Sequence, residues 1–367
     1  MNSYMSARLV SGQGCIAENS AMLKKLGNTC LIVTGAGSAQ SSGALGDVTA
    51  ALEKENIRFE VFSGIGQNPL LSSCFKAGVL ARETGADFII GIGGGSPLDS
   101  AKAAAIFAAN PEMVNMEIYS RSVPCKRLPV VLVGTTSGTG SEVTGVSVLT
   151  HDDTGVKKSI SGEDCYAAIS FLDPHYTYSM PYCVTVSTAL DAFAHAVEGW
   201  FSPRLNSLAG VYAQKAIPII FGGLKYLYEN GVLPDAALRD ELYYASVFAG
   251  LELNICGAAF PHTVGYVLTE DYSVPHGRAC TAFMPELIER AEKYCPERLE
   301  ALLAMCKTDR DALLEPINSL TAVEGVRMSA EQISGYCARW SDVKNFRNTP
   351  GGFSADDARK MLEKLYL

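Results

Sequence analysis

The sequence predicts two domains: an α/β amino-terminal domain with a parallel, Rossmann-like sheet (residues 1–178) and an all-α carboxyl-terminal domain (residues 179–367). In the first half, short apolar runs alternate with helical stretches, which is typical of a parallel sheet covered on both faces. After Asp173–Pro174 the strand signals stop and long helical stretches begin. The chain of 367 residues also exceeds the usual size of one hydrophobic core.

The elements of each half are predicted from these patterns. Strands are expected at Thr29–Thr34, Arg58–Phe62, Asp87–Ile92 and Pro129–Gly134. Helical segments between them are expected up to about Asn56, from about Pro69 to Thr84, and on to Ala109. The helices of the second half are expected at Val184–Trp200, Ser207–Glu229, Asp235–Leu253, Pro285–Lys307 and Ser354–Leu365. Parallel sheets bind ligands at the carboxyl ends of their strands, so the loops after the strands are the first candidates for a site.

The composition excludes several classes of function. A net charge of −9 argues against nucleic acid as the main partner. The apolar runs are too short to span a bilayer, and no signal peptide is expected, so we expect a cytoplasmic protein. The eleven cysteines are scattered and contain no Cys-x-x-Cys pair. This distribution predicts free, buried thiols rather than disulfides or a thiolate metal site.

Two loops in the first half have the composition of phosphate-binding loops. Gly93–Pro97 connects a strand to a helix, so its backbone N–H groups and the helix N-terminus are suited to a pyrophosphate. Gly134–Glu142 comes after the last predicted strand and contains five hydroxyl side chains. Either loop alone is also compatible with a turn that binds nothing. Two such loops after two strands of one sheet favour a dinucleotide.

The end of the first predicted strand bears on which dinucleotide is bound. The segment from Thr34 through Gly35 to Ser38 has no acidic residue. An acid at this point would bind a ribose 2′-hydroxyl and repel a 2′-phosphate. Its absence, with serines nearby, favours NADP over NAD.

A metal centre is the second candidate site. Asp191 and His195 are four residues apart in a predicted helix, so both project from one face. His262 and His276 lie in proline-marked segments of the same half. Three imidazoles and one carboxylate suit Fe²⁺, Zn²⁺, Ni²⁺ or Co²⁺. The alternative is that Asp191 is a buried helix acid and that each histidine is an ordinary hydrogen-bonded polar residue.

Several motifs occur in order along nearly the whole chain: GGGSPLDSAK (93–102), TTSGTGSEVT (135–144), FLDP (171–174), DAFAHAVEG (191–199), PHTVGY (261–266), VPHGRA (274–279) and RNTPGGF (347–353). Together they resemble the iron-containing (group III) alcohol dehydrogenases, in particular short bacterial NADP-linked alcohol or propanediol dehydrogenases. The resemblance implies a dehydroquinate synthase-like architecture and a homodimer. It also implies a metal-dependent oxidoreductase that transfers a hydride between NADP(H) or NAD(H) and a small primary alcohol, diol or aldehyde.

The resemblance also assigns roles to individual residues. Fe²⁺, or Zn²⁺ or another divalent ion in its place, would be held by four catalytic ligands: Asp191, His195, His262 and His276. The cofactor would lie against the two glycine-rich loops and the tip of the first strand, at Gly35, Ser38, Asn68, Gly94, Gly95, Ser96, Asp99, Thr135, Thr136, Thr139 and Lys157.

Two positions depart from the family pattern. Many members have an aspartate, associated with NAD, where this chain has Gly35. Many also have a histidine four residues after the third ligand, where this chain has Tyr266, so a proton relay through that histidine is not expected here. The alternatives to a dehydrogenase are a dehydroquinate synthase-like NAD- and metal-dependent lyase, or a nucleotide-binding protein without catalysis.

Overall fold

The computed structural model describes residues 4–341 and 343–367. The chain forms two compact units, one ending at Met180 and the other starting at Pro181. The boundary predicted from the sequence lies two residues earlier, between residues 178 and 179. Each unit has its own buried apolar core.

The first unit is built on a parallel sheet of six strands in the order β1-β8-β5-β4-β2-β3. A separate antiparallel pair is formed by β6 and β7. The eight strands are β1 Arg8–Ser11, β2 Thr29–Gly35, β3 Arg58–Ile65, β4 Phe88–Gly93, β5 Val130–Gly134, β6 Val146–Thr150, β7 Lys157–Ser161 and β8 Ile169–Leu172. The predicted parallel sheet is therefore confirmed.

Both faces of the sheet are buried at its central strands β2, β4 and β5, as the continuous apolar runs predict, whereas the edge strand β3 is largely exposed. Along β4, Ile89 packs in one core while Ile90 packs in another. Successive side chains of a strand point to opposite faces, so a strand buried on both faces must be apolar throughout. The helices of this unit are α1 Cys15–Glu18, α2 Ala21–Lys24, α3 Ser38–Ser41, α4 Ala44–Lys54, α5 Leu71–Glu83 and α6 Gly95–Ala109.

Four strands of this unit are not predicted by the sequence patterns. β1 and β8 are only four residues long, too short for a run of apolar residues to stand out from the surrounding loop. They add two strands to one side of the sheet, so the strand at Val130–Gly134 is not the last. The hairpin of β6 and β7 gives little signal because β7, with the sequence KKSIS, is mostly polar.

The described residues of the second unit form helices and the loops that connect them. Its helices are α7 Tyr182–Phe201, α8 Ser207–Asn230, α9 Ala236–Cys256, α10 Phe260–Tyr272, α11 His276–Thr281, α12 Met284–Tyr294, α13 Pro296–Cys306, α14 Arg310–Thr321, α15 Ala330–Ala338, α16 Lys344–Arg347 and α17 Ala355–Tyr366. The helical stretch predicted over Pro285–Lys307 is divided into two helices, α12 and α13. The backbone angles of Cys295, φ −152° and ψ 57°, are not helical. A proline disfavours helical angles in the residue that precedes it, and Pro296 follows Cys295. No described helix has the length and apolar character needed to cross a membrane.

Glycines allow three helices of this unit to pack closely. A side-chain carbon at Gly277 of α11 would lie 1.8 Å from the Ser187 carbonyl oxygen of α7. One at Gly265 of α10 would lie 2.9 Å from the Ala279 carbonyl oxygen of α11. Real carbon–oxygen contacts are longer, so only glycine fits at these two positions. The three helices therefore approach each other backbone to backbone.

Replacing Gly277 with alanine should therefore separate α11 from α7. We expect the variant to lose about 3 kcal/mol of unfolding free energy, since overpacking against backbone cannot be relieved by a rotamer change. Urea denaturation followed by circular dichroism measures the loss. Gly222→Ala is the control, because Gly222 is exposed in α8 and has no atom near the added carbon. A Gly277→Ala protein as stable as that control would contradict the close packing.

Candidate active site

The four side chains predicted as metal ligands lie together inside the helical unit. Asp191 and His195 project from α7, His262 from the first turn of α10, and His276 begins α11. Asp191 Oδ1 lies 3.5 Å from Nε2 of His262, 3.7 Å from Nε2 of His276 and 3.9 Å from Nε2 of His195. One carboxylate oxygen thus faces three imidazole nitrogens.

These distances fit a shared ion better than direct hydrogen bonds. They exceed ordinary hydrogen-bond lengths. Two ligand atoms about 2.1 Å from one ion in tetrahedral geometry are about 3.4 Å apart, close to the observed spacing. Asp191 Oδ1 and His262 Nε2 are buried and have no hydrogen-bond partner among the described residues. Unsatisfied buried polar atoms are costly, and a divalent cation among them would satisfy both.

The ionisation of the buried Asp191 and His262 also indicates that this cluster favours a positive charge. Burial alone would raise the pKa of the Asp191 carboxyl, but His195, His276 and His262 outweigh burial and hold that pKa well below its usual range. Burial alone would lower the pKa of the His262 imidazole, yet Cys280, Glu198 and Asp191 raise it well above its ordinary value. A divalent ion among these donors would supply the positive charge that the buried carboxylate requires and would leave the imidazoles neutral, as metal ligands must be.

Glu198 orients one of the imidazoles. Its Oε1 lies 2.6 Å from Nδ1 of His262, and its Oε2 accepts a hydrogen bond of 2.6 Å from the Ala259 N–H. With its proton on Nδ1, His262 presents the lone pair of Nε2 toward Asp191. A carboxylate behind a histidine is the usual support of a metal-bound imidazole. Glu198 was not among the predicted site residues, although it comes seven residues after Asp191 and three after His195, on the same helical face.

A cysteine also belongs to the cluster. Donor atoms of Asp191, His262, His276 and Cys280 all lie within 4.8 Å of one another. Cys280 comes one turn of α11 after His276 and is fully buried, and burial raises the pKa of its thiol. All eleven cysteines are free, as predicted, but they are not all buried, because Cys183 is exposed and Cys125, Cys295 and Cys306 are partly exposed. Their scattered spacing gives no sign that Cys280 differs from the rest.

Tyr266 stands where the resemblance leads us to expect a histidine. Its ring stacks on the His276 ring, with centroids 5.5 Å apart and planes 15° apart. It lies one turn after His262 on α10. The tyrosine therefore packs against a proposed ligand and supplies an aromatic wall.

In the first unit, the two glycine-rich loops lie side by side. β4 and β5 are neighbours in register, with Gly93 opposite Gly134, and the loops begin at their carboxyl ends. A side-chain carbon at Gly94 would lie 3.2 Å from the Thr136 methyl group, and one at Gly95 would lie 2.7 Å from that of Thr139. Gly94, Gly95 and Ser96 stand at the N-terminus of the 15-residue helix α6, where backbone N–H groups suit phosphate.

A buried polar network fixes the second loop. Lys102 is fully buried, and its ammonium donates to Ser141 Oγ at 2.8 Å and to the carbonyl oxygens of Thr144 and Val146. Asp99 accepts hydrogen bonds from Ser141 Oγ at 2.6 Å and from the Val148 N–H at 2.8 Å. Asp99, predicted as a cofactor contact, thus directs its carboxylate to the protein and shapes the loop.

The remaining predicted cofactor residues lie around the same edge of the sheet or beside the hairpin. Gly35 ends β2, and a side-chain carbon there would lie 3.7 Å from Pro97 in the first turn of α6. Ser38 is exposed at the start of α3, and Thr135 is buried with a hydroxyl that has no hydrogen-bond partner in the described chain. Lys157 of β7 is the backbone partner of Thr150 of β6 in the hairpin. Leu70, two residues after Asn68, forms an isolated β-bridge with the same threonine.

Comparisons with known proteins cover both units of the chain. The family model "iron-containing alcohol dehydrogenase" matches residues 6–174, and the model for the carboxyl-terminal part of that family matches residues 185–337. A sulfoacetaldehyde reductase of Bilophila wadsworthia is 33% identical over 79% of this chain and 76% of its own length. The 1-propanol dehydrogenase PduQ of Salmonella typhimurium is 28% identical over 100% of both chains.

The fold comparison gives the same result. The structure of an iron-containing alcohol dehydrogenase from Thermotoga maritima superposes with a TM-score of 0.91 at 31% identity, and the match covers 99% of this chain and 98% of that one. The two family models together cover most of the sequence. The chain belongs to the iron-containing alcohol dehydrogenase family, a family of oxidoreductases.

Proposed function

We propose that this protein interconverts a small primary alcohol or diol and its aldehyde, with NADP(H) as the hydride partner and Fe²⁺ held by Asp191, His195, His262 and His276. The observation that carries the proposal is the carboxylate oxygen of Asp191 facing three imidazole nitrogens in a buried setting. The names of the two relatives, a sulfoacetaldehyde reductase and a 1-propanol dehydrogenase, support a substrate of this class.

The residues of the helical unit prepare the site for this chemistry. A divalent ion in such a site acts as a Lewis acid on a substrate oxygen, while a nicotinamide supplies or accepts the hydride. Glu198 fixes the ring orientation of His262, and Tyr266 limits the movement of His276 by stacking on it. Asp191, His195 and His262 are buried, so water has little access to their side of the centre. His276 is the most exposed of the four, with 27% of its side chain accessible, and marks the side open to substrate.

The preference for NADP rests on the segment after β2. Gly35 and Ser38 offer no carboxylate to repel a 2′-phosphate. The pyrophosphate would lie on the N-terminus of α6 at Gly94, Gly95 and Ser96, with Thr135, Thr136 and Thr139 on the neighbouring loop. Asn68 and Lys157 complete the proposed cofactor set, and Asp99 supports the set by shaping the loop through its hydrogen bonds from Ser141 and Val148.

Neither alternative function is favoured. The family match supports an oxidoreductase over a dehydroquinate synthase-like lyase. A nucleotide-binding protein without catalysis would not need a carboxylate and three imidazoles brought together in a buried cluster. We also propose a cytoplasmic homodimer, whose oligomeric state light scattering on the purified protein tests directly.

The direct test is an activity assay. Anaerobically purified protein loaded with Fe²⁺ should oxidise NADPH in the presence of short aldehydes such as propanal, and reduce NADP⁺ in the presence of the matching alcohols. The panel should include a long-chain aldehyde as a contrast. Absence of turnover with every substrate, in protein that binds one ion and NADPH, would contradict the proposal.

Replacing His262 with alanine should remove both the ion and the activity. We expect metal content after gel filtration to fall well below one ion per chain. We expect kcat/KM to fall by about a thousandfold or more, since a Lewis acid contributes several kcal/mol to the transition state. Metal analysis and steady-state kinetics measure the two effects. His175→Ala is the control, because His175 is exposed and lies outside the cluster.

Glu198→Gln tests the positioning role of the carboxylate. The amide oxygen can still accept from His262 Nδ1, but the negative charge is lost, and the Ala259 N–H then faces the amide NH2 group and loses its acceptor. We expect metal affinity to fall about 10- to 100-fold while the far-ultraviolet circular dichroism stays unchanged. Competition with a chromophoric chelator measures the affinity. An unchanged dissociation constant would show that Glu198 has no influence on the ion.

Gly35→Asp tests the coenzyme proposal. A carboxylate at this point should repel the 2′-phosphate, so the ratio of kcat/KM for NADP to that for NAD should fall at least tenfold, equivalent to about 1.4 kcal/mol. Gly35→Asn is the matched control, since it adds the same volume beside the Ile65 carbonyl without the charge. A wild-type enzyme that already prefers NAD would overturn this part of the proposal.

A further inference from the structure

Cys280 is the part of the metal cluster that the proposed ligand set does not use. Its side chain is fully buried, and its Sγ lies 3.7 Å from Nδ1 and 3.8 Å from Nε2 of His276. It is also one of four donors, with Asp191, His262 and His276, whose ligand atoms lie within 4.8 Å of one another. A thiol in a purely structural position has no reason to face a carboxylate and two imidazoles.

The spacing of the sulfur suits a shared ion. A thiolate binds Zn²⁺ at about 2.3 Å and an imidazole at about 2.1 Å, so the two atoms in one tetrahedral shell are about 3.6 Å apart. The nitrogen of His276 that faces Asp191 is Nε2, and its observed separation of 3.8 Å from the sulfur is close to that figure. A second observation also indicates an ion at the point that these donors surround. Asp191 Oδ1 and His262 Nε2 are buried there without hydrogen-bond partners in the described chain.

The local sequence explains how the thiol reaches this position. His276 and Cys280 are four residues apart at the two ends of one helical turn of α11, just as Asp191 and His195 are on α7. Side chains at this spacing share a helix face. Gly277 lets α11 approach the backbone of α7, which brings both donors of α11 to Asp191.

We infer that Cys280 is an additional ligand of this centre, whose thiolate sulfur coordinates the ion held by Asp191 and the imidazoles. The inference rests on the metal site of the proposed function and deepens it. On binding, a metal–sulfur bond forms, the S–H bond breaks, and the proton leaves to solvent; a coordinated thiol is deprotonated outright. No redox partner is needed.

A sulfur donor changes which ions the site favours. Thiolate is a soft ligand that selects thiophilic ions such as Zn²⁺, Cd²⁺ and Co²⁺, whereas oxygen donors suit Mn²⁺ and Mg²⁺. The centre should therefore retain thiophilic ions more strongly than a site of one carboxylate and three imidazoles would. This consequence concerns binding alone and can be measured without turnover.

The first test is the absorption spectrum of the full-length protein loaded with Co²⁺ under anaerobic conditions. A thiolate bound to Co²⁺ gives an intense near-ultraviolet charge-transfer band, in addition to the weak visible bands of any cobalt site. We expect this band in the wild type, its loss in Cys280→Ser and Cys280→Ala, and its retention in Cys337→Ser. Cys337 is a buried cysteine of α15 and serves as the matched control.

The second test compares affinities for two ions. Cys280→Ser should weaken Cd²⁺ binding about tenfold or more while Mn²⁺ binding changes much less, because only the soft donor is lost. Chelator competition measures both dissociation constants. Equal losses for the two ions would overturn the inference, since they would reflect a general disturbance of the site.

The outcomes separate this inference from the function on which it rests. Failure of the wild type to bind Co²⁺ at all would overturn the metal site itself. One bound Co²⁺ with visible bands but no charge-transfer band would leave the metal site standing and overturn the role of Cys280. A band that persists in Cys280→Ser would also overturn it, because another group would then be its source.

Discussion

The helical unit is organised around one buried carboxylate that requires positive charge. Asp191 is almost inaccessible to solvent, and its Oδ1 faces three imidazole nitrogens at 3.5–3.9 Å. Transferring a carboxylate from water to a protein interior costs several kcal/mol unless charged or polar partners compensate. The surrounding imidazoles, one of them oriented by Glu198, face that oxygen at distances suited to a shared divalent ion, which would supply the compensation. The packing of α7, α10 and α11 is best understood as the means of holding these donors at that spacing.

Close packing of helix backbones fixes the positions of the donor side chains. Gly277 and Gly265 remove the side chains that would keep α7, α10 and α11 apart. The donors therefore lie on helix segments whose backbones touch, rather than on loops. In the other unit, Gly94 and Gly95 have the same effect, because they let the loop after β5 lie against the start of α6. Lys102 then fixes that loop through three hydrogen bonds from a fully buried ammonium group.

The parts of the fold and of the site that could be predicted from the sequence are those with a long or repeated pattern. The apolar run of β4 predicted a strand buried on both faces, and the motifs around Asp191 and His262 predicted the family. The four-residue strands β1 and β8 could not be found, since so few residues give no periodicity and their pairing is set by distant segments. Glu198 and Cys280 were missed because their roles depend on which side chains α10 and α11 bring near them, and helical spacing alone does not specify that.

The proposed chemistry requires an ion at one point, which Asp191 Oδ1 and the imidazole nitrogens surround. The most direct measurement is anomalous X-ray scattering at the iron absorption edge, from crystals of Fe²⁺-loaded protein grown without oxygen. We predict one strong anomalous peak within about 2.0–2.3 Å of Asp191, His195, His262 and His276. A peak elsewhere in the chain, or none at this point in protein whose iron content is one per chain, would contradict the proposed metal centre.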